Sequence, residues 1–254
     1  MFNKILIIIW YLSNQKYYRH FFNILKRKFL KNHDTPIKCK MATDWAKSNT
    51  LPYVDALIKL GFSGEVNELD DDTINKSFEL QKKSSTIMGG SAHINLLYNC
   101  VKLIKPKIVI ETGVAYGWSS LAILKALSET TNGKLFSIDM PYPRKNNDKD
   151  VGIVVPSYLK KNWHLVRKPD NPGILDVLNK IKKKIDLCHY DSDKSWWGRK
   201  YAYPILWNSL NSNGIFISDD IQDNLYFCEF VKNKSLKFAV VKFKGKFIGL
   251  IRKP

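Results

Sequence analysis

Two short acidic clusters hold the residue types best suited to chemistry. Asp191-Ser-Asp-Lys-Ser-Trp-Trp197 follows the apolar run Ile185 to Tyr190, and Ser218-Asp-Asp220 follows Gly214 to Ile217. If the two runs are neighbouring parallel strands, Asp191, Asp219 and Asp220 meet at the carboxyl edge of the sheet. Three or four carboxylates at one point repel one another unless something cationic sits among them. Hard oxygen ligands suit Mg²⁺, which keeps waters or substrate oxygens in its shell. Such an ion could bind a substrate hydroxyl, lower its pKa and align it for reaction. The alternative is that these acids cap a following helix or pair with Lys194 or Arg199.

A second constellation precedes them. Lys107-Ile-Val-Ile-Glu-Thr-Gly-Val-Ala-Tyr-Gly-Trp-Ser-Ser120 reads as a buried strand, a glycine turn and a helix start. The β-branched run Ile108 to Ile110, without polar alternation, is what a parallel strand covered on both faces looks like. Gly113 and Gly117 permit a tight turn against a ligand, with Tyr116 between them. Ser119 opens a helix whose free N–H groups would face the same crevice. A dinucleotide turn requires G-x-G-x-x-G, whereas here Glu111 stands in place of the first glycine. A carboxylate beside a pyrophosphate is repelled, but beside a cationic amino-acid group it is attracted. That favours S-adenosylmethionine (SAM) over NAD. Asp139, ending the next strand, is placed to accept hydrogen bonds from ribose hydroxyls, and Met140 to pack on adenine.

The elements that position these residues alternate in the way that specifies a mostly parallel α/β sheet. Strands are expected at 107–112, 133–139, 163–167, 185–191 and 214–220, with helices at 121–127, 174–181 and 200–210. Two β runs about Lys244-Gly245, within 238–251, form a terminal antiparallel hairpin. Three segments follow: a basic amphipathic stretch over 1–40, a helical lead-in or lid over 41–104, and a SAM-binding domain over 105–254. The lead-in contains a helix over 44–60, another opening at Asp70, and a third over 92–104 after the turn Met88-Gly-Gly-Ser91.

The glycine-turn segment resembles motif I of the class I SAM-dependent methyltransferases, and the terminal hairpin is the feature by which that fold differs from a generic dinucleotide-binding fold. The resemblance covers about residues 85 to 252 and implies a Rossmann-like sheet with helices on both faces. The Asp after the fourth strand and the Asp-Asp pair after the fifth resemble the metal site of the cation-dependent, catechol O-methyltransferase-like enzymes. By that resemblance Asp191, Asp219 and Asp220 would hold Mg²⁺, Asp191 would also touch the cofactor, and Lys194 would be the general base. A lysine can serve so only if its pKa is pulled down. A bacterial branch that tailors antibiotics and sugars is similar in more detail. Its Asp-x-Asp-(His/Lys)-Ser-(aromatic) pattern is met by Asp191 to Trp196, and its Val-Gly-x-x-Val-Pro stretch by Val151 to Pro156. The resemblance implies methyl transfer to a hydroxyl of a small molecule, sugar or glycan.

Other features bound the reading. Lysine and arginine number 41 against 23 acids, a net charge of +18, which suits RNA, an anionic membrane or an acidic substrate, or reflects a Lys- and Asn-rich composition alone. An RNA methyltransferase is therefore a rival, although no Asp/Asn-Pro-Pro-(Tyr/Phe) follows the fourth strand. Residues 1–40 hold nine basic residues and one acid, Asp34. Among them Ile5, Ile8, Ile9, Leu12, Phe21, Leu25 and Phe29 fall at helical spacing, which suits peripheral contact with a membrane through residues 1–30, or packing on the domain or on a second subunit. A non-catalytic binding module attached to a membrane surface is the other rival. The run Ile5 to Leu12 is too short to span a bilayer, and no small-x-small cleavage site follows. Cys39, Cys100, Cys188 and Cys228 form no C-x-x-C pair, so a reducing cytoplasm is expected, if need be at the inner membrane face. His189 lies in a buried strand pattern and reads as a core histidine. Trp196 and Trp197 could stack on an acceptor or belong to the core.

Overall fold

The computed structural model describes residues 2–30, 32–145 and 147–254. The chain opens with helices α1 (Phe2–Leu12) and α2 (Tyr18–Phe29), joined by a single 3₁₀ turn at Gln15–Tyr17. Helix α3 (Pro36–Ser48) starts where Thr35 accepts a hydrogen bond from the Lys38 N–H and Pro36 supplies a first-turn residue that needs no donor. A short strand β1 (Thr50–Leu51) and helices α4 (Tyr53–Lys59), α5 (Asp71–Lys82) and α6 (Ile94–Ile104) follow. Then come β2 (Ile108–Thr112), α7 (Trp118–Ser128), β3 (Lys134–Ile138), β4 (Trp163–Val166), α8 (Asp170–Ile181), β5 (Ile185–Tyr190), α9 (Trp196–Ser209) and β6 (Leu210–Ser218). Helix α10 (Tyr226–Asn233) and the hairpin β7 (Phe238–Phe243) and β8 (Lys246–Arg252) close the fold.

The eight strands form one sheet in the order β1-β7-β8-β6-β5-β2-β3-β4. Strand β8 runs antiparallel to both of its neighbours, and the other pairs are parallel. The mostly parallel sheet with a terminal antiparallel hairpin is therefore as expected. Alternation within each strand supplies two cores. Val109, Leu135, Leu187 and Ile215 pack with α6 and α7 on one face. Ile110, Phe136, Cys188 and Phe216 pack with α8, α9 and α10 on the other. Each such side chain, when fully buried, stabilises the fold by roughly 1.5–3 kcal/mol before chain entropy is set against it.

Three local expectations are corrected. The helix expected over 44–60 is two helices, because Pro52 provides no N–H to continue the ladder and Thr50 and Leu51 pair instead with Val240 and Val241 of β7. Helix α9 begins at Trp196 rather than Lys200, since Ser195 caps it by accepting from the Gly198 N–H. The third lead-in helix starts at Ile94, capped by His93.

Candidate active site

The carboxyl ends of β2, β3, β5 and β6 open onto a cavity of about 690 Å³. Its floor is the turn after β2. Gly113 sits at φ +82°, and a Cβ there would lie 2.2 Å from the Asp191 carbonyl oxygen. Gly117 sits at φ +94°, where a Cβ would meet Gly152 at 2.8 Å. Both positions therefore require glycine by conformation and by space. Gly113→Ala should cost about 2–4 kcal/mol through strain and displacement of the Asp191 backbone. A urea midpoint unmoved by that substitution would mean the turn yields freely.

The stretch Val151 to Pro156 buttresses this turn. Gly152 N–H donates to Ala115 at 2.9 Å and Val154 N–H to Tyr116 at 3.1 Å. Tyr116 lines the cavity, and its hydroxyl donates to the Thr86 carbonyl at 3.0 Å while accepting from the Met88 N–H at 3.1 Å. Ser119 also lines the cavity, one residue into α7, where helix N–H groups lack internal partners.

Asp139 lines the cavity beside Met140. Its Oδ1 accepts from the Val114 N–H at 2.9 Å, and its other oxygen pairs with Arg167. Burial raises its pKa, opposed by that N–H and by the guanidinium. Met140 touches the cavity on one side and packs against the Tyr11, Tyr17 and Phe21 cluster on the other.

Glu111 is not among the cavity-lining residues, which corrects its expected place against the cofactor. Its side chain is fully buried in the sheet, where Oε2 accepts from Ser120 Oγ at 2.5 Å and from Ser137 Oγ at 2.6 Å. Parallel register sets Ser137, Glu111 and His189 side by side across β3, β2 and β5. His189 Nδ1 stands 3.6 Å from Glu111 Oε1, and Nε2 stands 3.4 Å from Asp219 Oδ1. Burial alone would lower the imidazole pKa, but the two flanking carboxylates outweigh it and push it up to about 10. The two flanking carboxylates thus favour the charged form of His189 beside Asp219, so it is not merely a core histidine.

Asp191, Asp219, Asp220 and Lys194 do come together on the cavity wall. Lys194 Nζ lies 3.2 Å from Asp191 Oδ1 and pairs directly with Asp220. Lys246 Nζ reaches the Asp220 carboxylate from the other side at 3.1 Å. Among the described residues no group of three or more His, Cys, Asp or Glu side chains is placed to hold a metal ion. The expected Mg²⁺ does not fit this arrangement, because an ammonium stands between the two carboxylates that would have to share the ion. Nor does Lys194 have the character of a base. Burial would lower its pKa, but Asp191 and Asp220 outweigh that and push it up, so the amine stays protonated. Asp191 behaves oppositely: burial first, and then the Asp219 charge, push its pKa up to about 7 against the pull of Lys194 and His189.

The sequence offered Arg199 as an alternative partner for these acids and left Trp196 and Trp197 open, whereas the neighbours on α2 and at residues 33–34 escaped it. Arg199 is fully buried and donates to the carbonyls of Asp219 at 3.1 Å and Asp220 at 2.7 Å, fixing the acidic turn. Asp220 itself adopts φ +53°. His20, Ile24 and Arg27 of α2 line the cavity, and Arg27 pairs with Asp193. Asp34 accepts from the Trp196 N–H at 2.9 Å, and His33 stacks on the Trp196 ring with centroids 3.7 Å apart. Neither Trp196 nor Trp197 lines the cavity. They pack against His33 and beneath Lys200.

Residues 110–221 match a family model described as a methyltransferase domain. No curated protein matches the chain. Among solved structures, the O-methyltransferase from Bacillus cereus in complex with S-adenosylhomocysteine (SAH) is similar over 82% of this chain and 100% of its own, at TM-score 0.55 and 13% identity. A Klebsiella pneumoniae protein provisionally named an O-methyltransferase is similar over 73% of this chain and 92% of its own, at TM-score 0.57 and 14% identity. The O-methyltransferase of tomaymycin synthesis from Streptomyces achromogenes, in complex with SAM, covers the same shares at TM-score 0.51 and 15% identity. These likenesses show the fold.

Proposed function

We propose that this chain transfers a methyl group from SAM to a hydroxyl oxygen of a small molecule, sugar or glycan, a reading supported by the methyltransferase-domain model that residues 110–221 match and by the fold it shares with SAM- and SAH-bound O-methyltransferases. The observation that carries the reading is the shared cavity, which puts the Gly113–Gly117 turn, Asp139 and the Asp191–Lys194 cluster around one space. The glycine turn and Asp139 fit the cofactor: the turn is open where any Cβ would intrude, and the acid lies at the end of β3. When bound, SAM supplies an electrophilic methyl carbon whose bond to sulfur breaks as the acceptor oxygen bonds to it, leaving SAH.

In this reading Asp191 is the proton acceptor. Its Oδ1 is buried and accepts no hydrogen bond, its ion-pair partner being the Lys194 ammonium at 3.2 Å, and a base with a pKa near neutrality is matched to a hydroxyl at neutral pH. Lys194 remains an ammonium and Asp219 is held by His189. Incubating the protein and SAM with a panel of hydroxyl-bearing phenols, sugars and lipid-linked glycans, and reading SAH by mass spectrometry, tests the proposal. SAH formation that depends on one acceptor supports it. Turnover on RNA alone would replace it with the nucleic-acid reading.

The basic first segment belongs to the same proposal, as a seat on an anionic membrane surface. No helix among the described residues is long and apolar enough to cross a membrane. Helix α2 divides its faces: His20, Ile24 and Arg27 meet the cavity, while Arg19, Phe22, Lys26 and Phe29 face outward. Ile5, Ile8, Ile9 and Leu12 form an exposed stripe along α1. An apolar stripe beside alternating basic and aromatic residues suits the headgroup boundary of an anionic bilayer. Phe22→Ser with Phe29→Ser should lower partitioning onto phosphatidylglycerol vesicles by about tenfold or more, at roughly 0.8 kcal/mol per buried methylene-sized group. Unchanged co-sedimentation would remove the membrane from the proposal.

A further inference from the structure

The acidic cluster carries its own cations, at least one beside each carboxylate. Lys194 Nζ stands between Asp191 and Asp220, Lys246 Nζ flanks Asp220 at 3.1 Å, and His189 Nε2 faces Asp219 Oδ1 at 3.4 Å. A divalent ion bridging Asp191 and Asp220 would sit about 2.0–2.1 Å from an oxygen of each. That is the space the Lys194 ammonium now fills, and two cations cannot share it. The ammonium has three N–H donors: one bonds Asp220, and a second side of the ammonium meets Asp191 Oδ1 as an ion pair at 3.2 Å. Lys194 also lines the cavity, so the third donor is available to a bound molecule.

We infer that Lys194 is a built-in replacement for a divalent cation: it screens Asp191 and Asp220 and presents an N–H to the acceptor oxygen, so that methyl transfer by this chain needs no metal. The inference rests on the methyl-transfer reading for the identity of the acceptor oxygen. The counter-ion role itself stands on the geometry of three side chains, Lys194, Asp191 and Asp220. Electrostatically a fixed ammonium does part of what a Lewis acid does, drawing negative charge toward the oxygen as its proton leaves for Asp191. It differs in offering one elementary charge and in being fixed by the covalent chain.

Mn²⁺, a spectroscopic substitute for Mg²⁺, tests this directly. The full-length protein with saturating SAH is titrated with Mn²⁺, and the signal of the free ion is followed by electron paramagnetic resonance. The wild type and Lys194→Arg should leave that signal unchanged. Lys194→Ala and Lys194→Met, which vacate the position between the carboxylates, should deplete it with an affinity gain of about tenfold or more. Adding Asp191→Asn to either should abolish the gain, which places the ion. Wild-type protein that takes up Mn²⁺ as well as Lys194→Ala does would overturn the inference. So would failure of both vacated variants to bind Mn²⁺ while still binding SAH. Loss of SAH binding by both variants would make Lys194 a structural prop and would overturn it equally. Absence of SAH binding by the wild type, in contrast, would strike the methyl-transfer reading and leave the counter-ion role to be decided by Mn²⁺.

Discussion

Asp191→Asn is expected to leave SAH binding nearly intact and to cut methyl transfer by about 10²–10³-fold, the usual worth of a positioned general base. The side chain touches the cavity, but the backbone at Asp191 is what meets the glycine turn: its N–H donates to the Thr112 carbonyl at 2.9 Å. The amide variant keeps that backbone and the side-chain volume and removes the charge facing Lys194 together with the ability to take a proton. The wild-type rate should rise with pH through about 7, where burial and the Asp219 charge place this carboxylate, and then level off. In the variant that limb should vanish. Equal loss of SAH binding and turnover would instead mean that the carboxylate holds the cofactor turn together.

The second large effect concerns stability. His189→Gln should destabilise the fold by about 3–5 kcal/mol, because it leaves Glu111 and Asp219 facing each other without their buried cation. The double variant Glu111→Gln with His189→Gln should lose less than the sum of the two single changes, since the second substitution removes one of the stranded charges. The folded imidazole binds its proton more tightly than an unfolded histidine, at about 10 against an ordinary 6.5. Its stabilisation is therefore complete below pH 6.5 and is lost as pH rises through about 10. Urea midpoints across that range should fall for the wild type and stay flatter for His189→Gln. Parallel pH profiles would show that His189 is neutral in the fold.

The strands were legible because a sheet covered on both faces needs unbroken apolar runs, and Ile108–Ile110 or Ile215–Ile217 can hardly be anything else. The glycine turn was legible for the same kind of reason, as only glycine tolerates the Gly113 backbone beside Asp191. Strand β1 was hidden, being two residues long and paired with a partner far along the chain. The Ser137–Glu111–His189 row was equally hidden, since it exists only through the register of three strands, and a lone glutamate before a glycine turn reads as a ligand contact. For the acids the sequence left two outcomes open, a shared metal ion or pairing with Lys194. Residue types cannot separate these, because the decision lies in whether Lys194, beyond the end of β5, reaches Asp220, beyond the end of the neighbouring β6. The place of α2 against the cavity was invisible for a related reason: Arg27 meets Asp193 across most of the chain, and neither residue is unusual alone.

The most direct measurement is a calorimetric titration of the full-length protein with SAH, made once with EDTA and once with excess Mg²⁺. Micromolar binding of about the same strength is expected in both buffers, as befits a preformed cavity whose carboxylates are already paired with Lys194, Lys246 and His189. Well-folded protein that binds no SAH in either buffer would contradict the account at its centre, and the non-catalytic reading of the fold would take its place.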